Sequence, residues 1–104
     1  MSGSMAKYMS YLWREVNSDN YWRIQTKDPK IKLKLKKRKT ATLVLECLNH
    51  PMVVYKRQYY SPQKAKKSFQ RLTRQKIKKD PVEDIFYADT YPILTNKNVP
   101  KVQS

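Results

Sequence analysis

The chain has 104 residues and a formal charge of +15, from 23 Lys and Arg against 8 Asp and Glu. That length folds as one domain with a single modest core and leaves little material for a deep, multi-layer catalytic cleft. Apolar residues make up 39% of the chain and include two Trp, eight Tyr and two Phe, which excludes the composition of a disordered tail, so a folded domain is expected.

Met1-Ser2-Gly3-Ser4 before Met5 reads as a cloning remnant; it holds the sole glycine and stands outside the fold argument. The domain proper is expected over residues 5–79 and a tail over 80–104. The charge is concentrated in the middle: residues 1–21 are net zero, residues 22–79 carry nineteen cations against Asp28 and Glu46, and residues 80–104 are net −2. Like charges at that density oppose compaction and attract polyanions at long range.

Tyr8 to Val16 and Tyr21 to Thr26 are rich in aromatic and β-branched residues, and Asn17-Ser18-Asp19-Asn20 between them has turn chemistry, so a hairpin is predicted. Lys30 to Lys36 alternates strictly, and in a strand Lys30, Lys32, Lys34 and Lys36 share one face while Ile31, Leu33 and Leu35 share the other. Lys37-Arg38-Lys39 is then the exposed tip of a hairpin, and Thr40 to Leu48 a second strand. Its run Leu43-Val44-Leu45 places it at the centre of the sheet. After Asn49-His50-Pro51, Met52 to Tyr60 reads as a further strand with Val53, Tyr55, Arg57 and Tyr59 on one face and Val54, Lys56, Gln58 and Tyr60 on the other.

Ser61-Pro62 is a helix start, serine as N-cap and proline at the first helical position. Ala65, Phe69 and Leu72 form the apolar stripe, with Ile77 at its flank, and Lys64, Lys67, Arg71, Arg74 and Lys78 form a basic ridge on the other side. The helix should end at Lys79-Asp80-Pro81. The tail, with Pro81, Pro92 and Pro100, reads as extended or partly disordered, although Ile85-Phe86-Tyr87 is apolar enough to dock on the domain. The expected fold class is α+β: a small twisted antiparallel sheet of three to five strands followed by one amphipathic helix packed on one face.

Within this reading, Tyr55 to Leu72 resembles the strand-to-helix junction of AP2-type domains and of the arm-binding domains of tyrosine recombinases. Tyr60, Ser61, Ala65 and Phe69 stand at the sheet-ending aromatic, the cap, and the inner alanine and aromatic of the helix. The glycines usual in that family's hairpins are missing. The resemblance implies that the sheet face turned away from the helix meets a DNA major groove.

The function expected from the charge is non-enzymatic nucleic-acid binding, with double-stranded DNA narrowly preferred. A ribosomal-type RNA-binding subunit is the first alternative, and an adaptor or inhibitor that caps an acidic protein is the second. Lys30, Lys32, Lys34, Lys36, Lys37, Arg38 and Lys39, extended by Lys56 and Arg57, are the candidate phosphate contacts. Arg23 and Arg57 are candidate base readers, because a guanidinium offers guanine two parallel hydrogen bonds, and Trp22, Tyr55 and Tyr59, with Tyr21 beside them, are candidates for stacking. Lys36-Lys37-Arg38-Lys39 also fits a minimal nuclear-import cluster.

His50 and Cys47 have no companions at metal-ligand spacing. His50 reads as a turn residue and Cys47 as a structural thiol rather than a nucleophile. Asp80, Glu83 and Asp84 read as a solvated acidic patch, and no glycine-rich phosphate loop, nucleophile elbow or zincin helix occurs. No cofactor, metal or small-molecule substrate is expected. Without an apolar run of membrane length or a secretory leader, an intracellular protein is expected.

Overall fold

The computed structural model describes residues 7–14 and 20–91. Eight elements follow one another: β1 (Tyr8–Arg14), β2 (Tyr21–Thr26), α1 (Pro29–Lys37), β3 (Ala41–Glu46), β4 (Val53–Gln58), α2 (Pro62–Thr73), β5 (Lys78–Lys79) and β6 (Ile85–Thr90). The strands form one antiparallel sheet in the order β3-β4-β2-β1-β6-β5. The α+β class and the antiparallel sheet agree with the sequence reading, but there are six strands and two helices where three to five strands and one helix are expected. The β1–β2 hairpin forms as predicted; most of its turn lies outside the described residues.

Strand alternation decides which side of the sheet is buried. Leu12 of β1, Trp22 and Ile24 of β2, Val53 and Tyr55 of β4, and Phe86 and Ala88 of β6 share one face by register and are buried. Ile31 and Leu35 of α1 and Ala65, Phe69 and Leu72 of α2 join the same cluster, so both helices cover that face. Trp22 packs with its ring centroid 6.5 Å from that of Phe86, at 41°. Burial of these large side chains supplies most of the drive to fold, at roughly 1.5–3 kcal/mol for each fully buried one.

The alternating lysine segment is the chief departure from expectation. It is helix α1, not a strand, and Lys37-Arg38-Lys39 is not a hairpin tip but the end of that helix and the turn into β3. The cause lies just upstream. Asp28 is the N-cap, its Oδ1 accepting from the Lys30 N–H at 2.9 Å, and Pro29 occupies the first turn. Lys and Leu are also good helix formers, whereas Lys is depleted in strands. Wound at 100° per residue, Ile31 and Leu35 fall on one side and are buried, while Leu33 faces away and is 54% exposed.

Three further expectations change. β3 is an edge strand rather than a central one: β4 lies between it and β2, and a register shift between Leu43 and Leu45 interrupts its ladder. Leu43, Val44 and Leu45 are each nearly half exposed. Helix α2 starts as predicted, Ser61 accepting from the Lys64 N–H, but it stops at Thr73, where Arg74 adopts a left-handed conformation (φ 57°) and its N–H reaches the Gln70 carbonyl. Lys78 therefore leaves the helical ridge for β5. Finally, the sheet continues past Lys79: Ile85–Thr90 forms β6 against Tyr8–Trp13 of β1, so the run Ile85, Phe86 and Tyr87, apolar enough to dock on the domain, does so as a strand rather than as an extended tail.

Candidate nucleic-acid interface

The layered arrangement gives the molecule two dissimilar outer surfaces. On the helical side, residues 29–39 and 62–76 hold thirteen Lys and Arg and no Asp or Glu. Lys30, Lys36, Lys37, Arg38, Lys39, Lys64, Lys67, Arg71 and Arg74 are exposed there. No cation of α1 or α2 forms an ion pair among the described residues; the ion pairs present are Lys7 and Lys78, each 3.4 Å from Asp89 Oδ2. Lys32 and Lys34 are partly occupied within the fold. Lys32 Nζ donates to the Pro51 carbonyl at 2.8 Å, and Lys34 Nζ to the Leu72 carbonyl at 3.4 Å, where a cation also offsets the negative end of α2.

The lysines of α1 thus do not share one face as the strand reading requires. They flank its apolar stripe on both sides, and the cationic surface is continued by α2 rather than by β4. Along the outside of α2, Lys67, Gln70, Arg71, Arg74, Gln75 and Lys76 line an open groove. A second groove, of about 410 Å³, runs from Arg57, Tyr59 and Tyr60 past Lys64, Lys67 and Arg71.

Arg57 and Lys56 lie on opposite faces of β4 and do not extend one patch. Arg57 is on the helical side, half-buried, its guanidinium 4.8 Å from the Tyr59 ring and Nη1 donating to Ser68 Oγ at 3.4 Å. Ser68 Oγ also shares a 2.8 Å hydrogen bond with the Tyr59 hydroxyl, so Arg57 belongs to the β4–α2 junction. Trp22, Tyr55 and Tyr59, named as stacking candidates, are buried members of the core, and of the three only Tyr59 reaches the lining of the second groove.

The other face of the sheet is the one that the core residues of α1 and α2 do not cover, although Val54 on it is only 6% exposed. Two rows of side chains cross it. One runs Thr42, Lys56, Arg23, Trp13 and Ile85, and the next runs Leu45, Val54, Gln25, Tyr11, Tyr87 and Lys78. Arg23 and Tyr21 lie on this face as base-contact candidates; Lys56 Nζ sits 5.0 Å from the Tyr21 ring. Tyr11, Trp13 and Tyr87 escape a reading by charge, because nothing in the sequence tells the wet face of β1 from the dry one. Register supplies that: Leu12 faces the core, so its neighbours face away.

A cleft of about 610 Å³ opens at the Trp13 end of this face, lined by Tyr11, Trp13, Arg14, Gln25, Glu83, Asp84 and Ile85. Its acidic wall is built by a turn. Asp80 accepts from the Val82 and Glu83 N–H groups at 2.8 and 2.9 Å, and those bonds, from Glu83 and then Val82, hold its carboxyl below the usual aspartate range. For Asp89, burial pushes the carboxyl up, but the hydrogen bonds and charges of Lys78 and Lys7 outweigh it and leave it below the ordinary value.

His50 lies in the β3–β4 turn, its Nδ1 accepting from the Met52 N–H at 3.4 Å, and Cys47 is a half-buried free thiol. No helix in the described residues is long and apolar enough to cross a membrane. Comparison of the chain with family models, with curated proteins and with solved structures finds no match in any of the three.

Proposed function

We propose that this protein binds nucleic acid through the phosphate backbone and without catalysis, using the two-helix layer as the contact surface. The reading is supported by thirteen cations within residues 29–39 and 62–76, segments that contain no carboxylate; Asp28, which caps the first of them, is buried. A surface selected for solubility alone tends to interleave both signs. Lys30, Lys36, Lys37, Arg38 and Lys39 from α1 and its turn, with Lys64, Lys67, Arg71 and Arg74 from α2, are the phosphate contacts in this reading.

Double-stranded DNA is preferred over structured RNA. A twelve-residue helix is about 18 Å long, and the B-form major groove, roughly 12 Å wide, admits a helix, whereas the deep groove of A-form RNA is too narrow for side chains to read. An acidic protein surface would satisfy the same charges, and the experiment separates the cases.

The test measures affinity for a duplex, a structured RNA and an acidic polypeptide at several salt concentrations. With about six phosphates engaged, duplex affinity falls on the order of a thousandfold between roughly 50 and 200 mM salt. The triple variant Lys67→Glu, Arg71→Glu, Arg74→Glu weakens it and lowers the slope of log affinity against log salt by about 0.9 for each lost contact. Duplex affinity that ignores salt, or is untouched by that variant, refutes the reading. A complex with the polypeptide alone transfers the surface to a protein partner.

A further inference from the structure

We infer that the helix-free face of the sheet is a second binding site, one that stacks the unpaired bases of a single-stranded nucleic acid. It goes beyond the phosphate reading, because it lies on the opposite side of the sheet and depends on aromatic rings rather than on the helical cations.

Three observations meet there. Tyr11 and Trp13 are two residues apart on β1, hence on the same side about 7 Å apart, and Tyr87 of β6 is the direct partner of Tyr11 across the ladder. Stacking on such rings is tolerant of sequence because every base has a π face. The described elements leave these rings uncovered and half-buried among their neighbours, in contrast with Trp22, Tyr55 and Phe69 on the opposite side of the same sheet.

Polar chemistry around the rings is graded. Arg23 and Lys56 occupy successive strands in the row that contains Trp13, on the β2 and β4 side. Glu83 and Asp84 stand at the other wall of the cleft, beyond Trp13; Arg14 also lines it, but its guanidinium lies 5.0 Å from the Trp22 ring on the helical side. Cations attract phosphates, and carboxylates repel them but accept hydrogen bonds from exocyclic amino groups such as that of cytosine. A strand therefore lies with its backbone toward Arg23 and Lys56 and its bases over Tyr11, Tyr87 and Trp13, with one base edge turned to Glu83 and Asp84. Gln25, the cross-strand partner of Tyr11, offers both a donor and an acceptor at the middle of the cleft. A duplex presents no base faces to such a surface, so the occupant is unpaired.

Trp emission tests this directly, since Trp22 is 2% exposed and the ligand-facing indole is Trp13. The full chain is titrated with a mixed-sequence single-stranded DNA dodecamer, the RNA of the same sequence, and the corresponding DNA duplex. Both single strands quench the emission, the duplex does not, and Trp13→Phe removes the quench while leaving the Trp22 signal as a control for folding. Tyr11→Leu combined with Trp13→Leu weakens single-strand affinity on the order of tenfold or more and leaves duplex affinity unchanged. A Trp13 that responds equally to the duplex, or that stays silent when single strands bind, overturns the inference while the salt-dependent phosphate reading stands. Absence of binding by every oligonucleotide at low salt overturns both.

Discussion

The nature of residues 29–37 decides where five lysines point, and two neighbouring leucines report on it. In a strand, Leu33 and Leu35 lie on the same face and are energetically equivalent. In α1 they are separated by 200° of rotation; Leu35 is 1% exposed and Leu33 is 54% exposed. Truncation of Leu35 to Ala removes a buried side chain that packs with the core cluster containing Ile31, Phe69 and Leu72, and leaves a cavity, at a cost of about 2–5 kcal/mol. Leu33→Ala removes an exposed side chain at a helical position that favours Ala, so its effect lies within about 0.5 kcal/mol of zero. For a domain of this size each kcal/mol is about 4–8 °C in Tm, so the first variant melts at least about 8 °C lower and the second within about 4 °C of the parent. Urea denaturation of the pair, followed by far-UV circular dichroism, measures the difference. Equal destabilisation by the two truncations refutes the helix and restores the single lysine face of a strand, and with it a different candidate surface for the proposed phosphate contacts.

Asp89 provides a pH test. Its folded carboxyl sits below the ordinary aspartate value of about 3.9, so its contribution is present above that value and is lost as pH falls through the folded one. Because Lys7 and Lys78 are more than half exposed, each pair is worth at most about 1 kcal/mol, and the stability gap between the parent and Asp89→Asn narrows from pH 6 to pH 3. A gap that is constant or widens on acidification contradicts the assignment. At the other end of the sheet, the apolar edge strand β3 invites pairing between chains. Val44→Lys changes unfolding free energy by less than about 0.5 kcal/mol and lowers light scattering on concentration; a loss beyond about 1.5 kcal/mol shows that Val44 is covered.

How much of this structure is legible in the sequence depends on which signals compete. Ser61-Pro62 and Asp28-Pro29 are the same helix-start signal, a capping oxygen followed by proline at the first helical position. The first is decisive because Ala65, Phe69 and Leu72 follow at helical spacing. The second is masked by seven residues of strict alternation, a pattern that also fits a helix as soon as one leucine is allowed to face solvent. β3 misleads for a related reason: three consecutive apolar residues suggest a strand buried on both faces, but the order of strands in a sheet is a tertiary property that a local run does not contain. β6 is concealed by Pro81 and the acidic residues near it, although Ile85, Phe86 and Tyr87 mark where the apolar chain resumes. The candidate phosphate contacts survive the change of secondary structure in kind but not in position, since charge is read from composition and placement only from the fold.

The same sheet explains why the aromatic residues divide as they do. Twelve aromatics in a 104-residue chain exceed what one modest core consumes, and alternation sends successive ones to opposite sides: Leu12 inward between Tyr11 and Trp13, Phe86 inward before Tyr87, Trp22 inward after Tyr21. With two helices on one side, the surplus rings accumulate on the other, alongside Arg23 and Lys56, while the exposed faces of the helices hold cations and no rings beyond Tyr60 at the start of α2. A helical layer of that composition suits the proposed phosphate contacts and has little with which to stack bases; the sheet face that the described helices leave open has rings and only a few cations. Each surface carries the chemistry the other lacks, so occupation of the sheet face leaves the helical cations available to a second stretch of backbone. If both proposals hold, a nucleic acid that joins a duplex to a single-stranded extension engages both surfaces, and in a titration its affinity exceeds that for either part alone by the effective concentration that the covalent link confers.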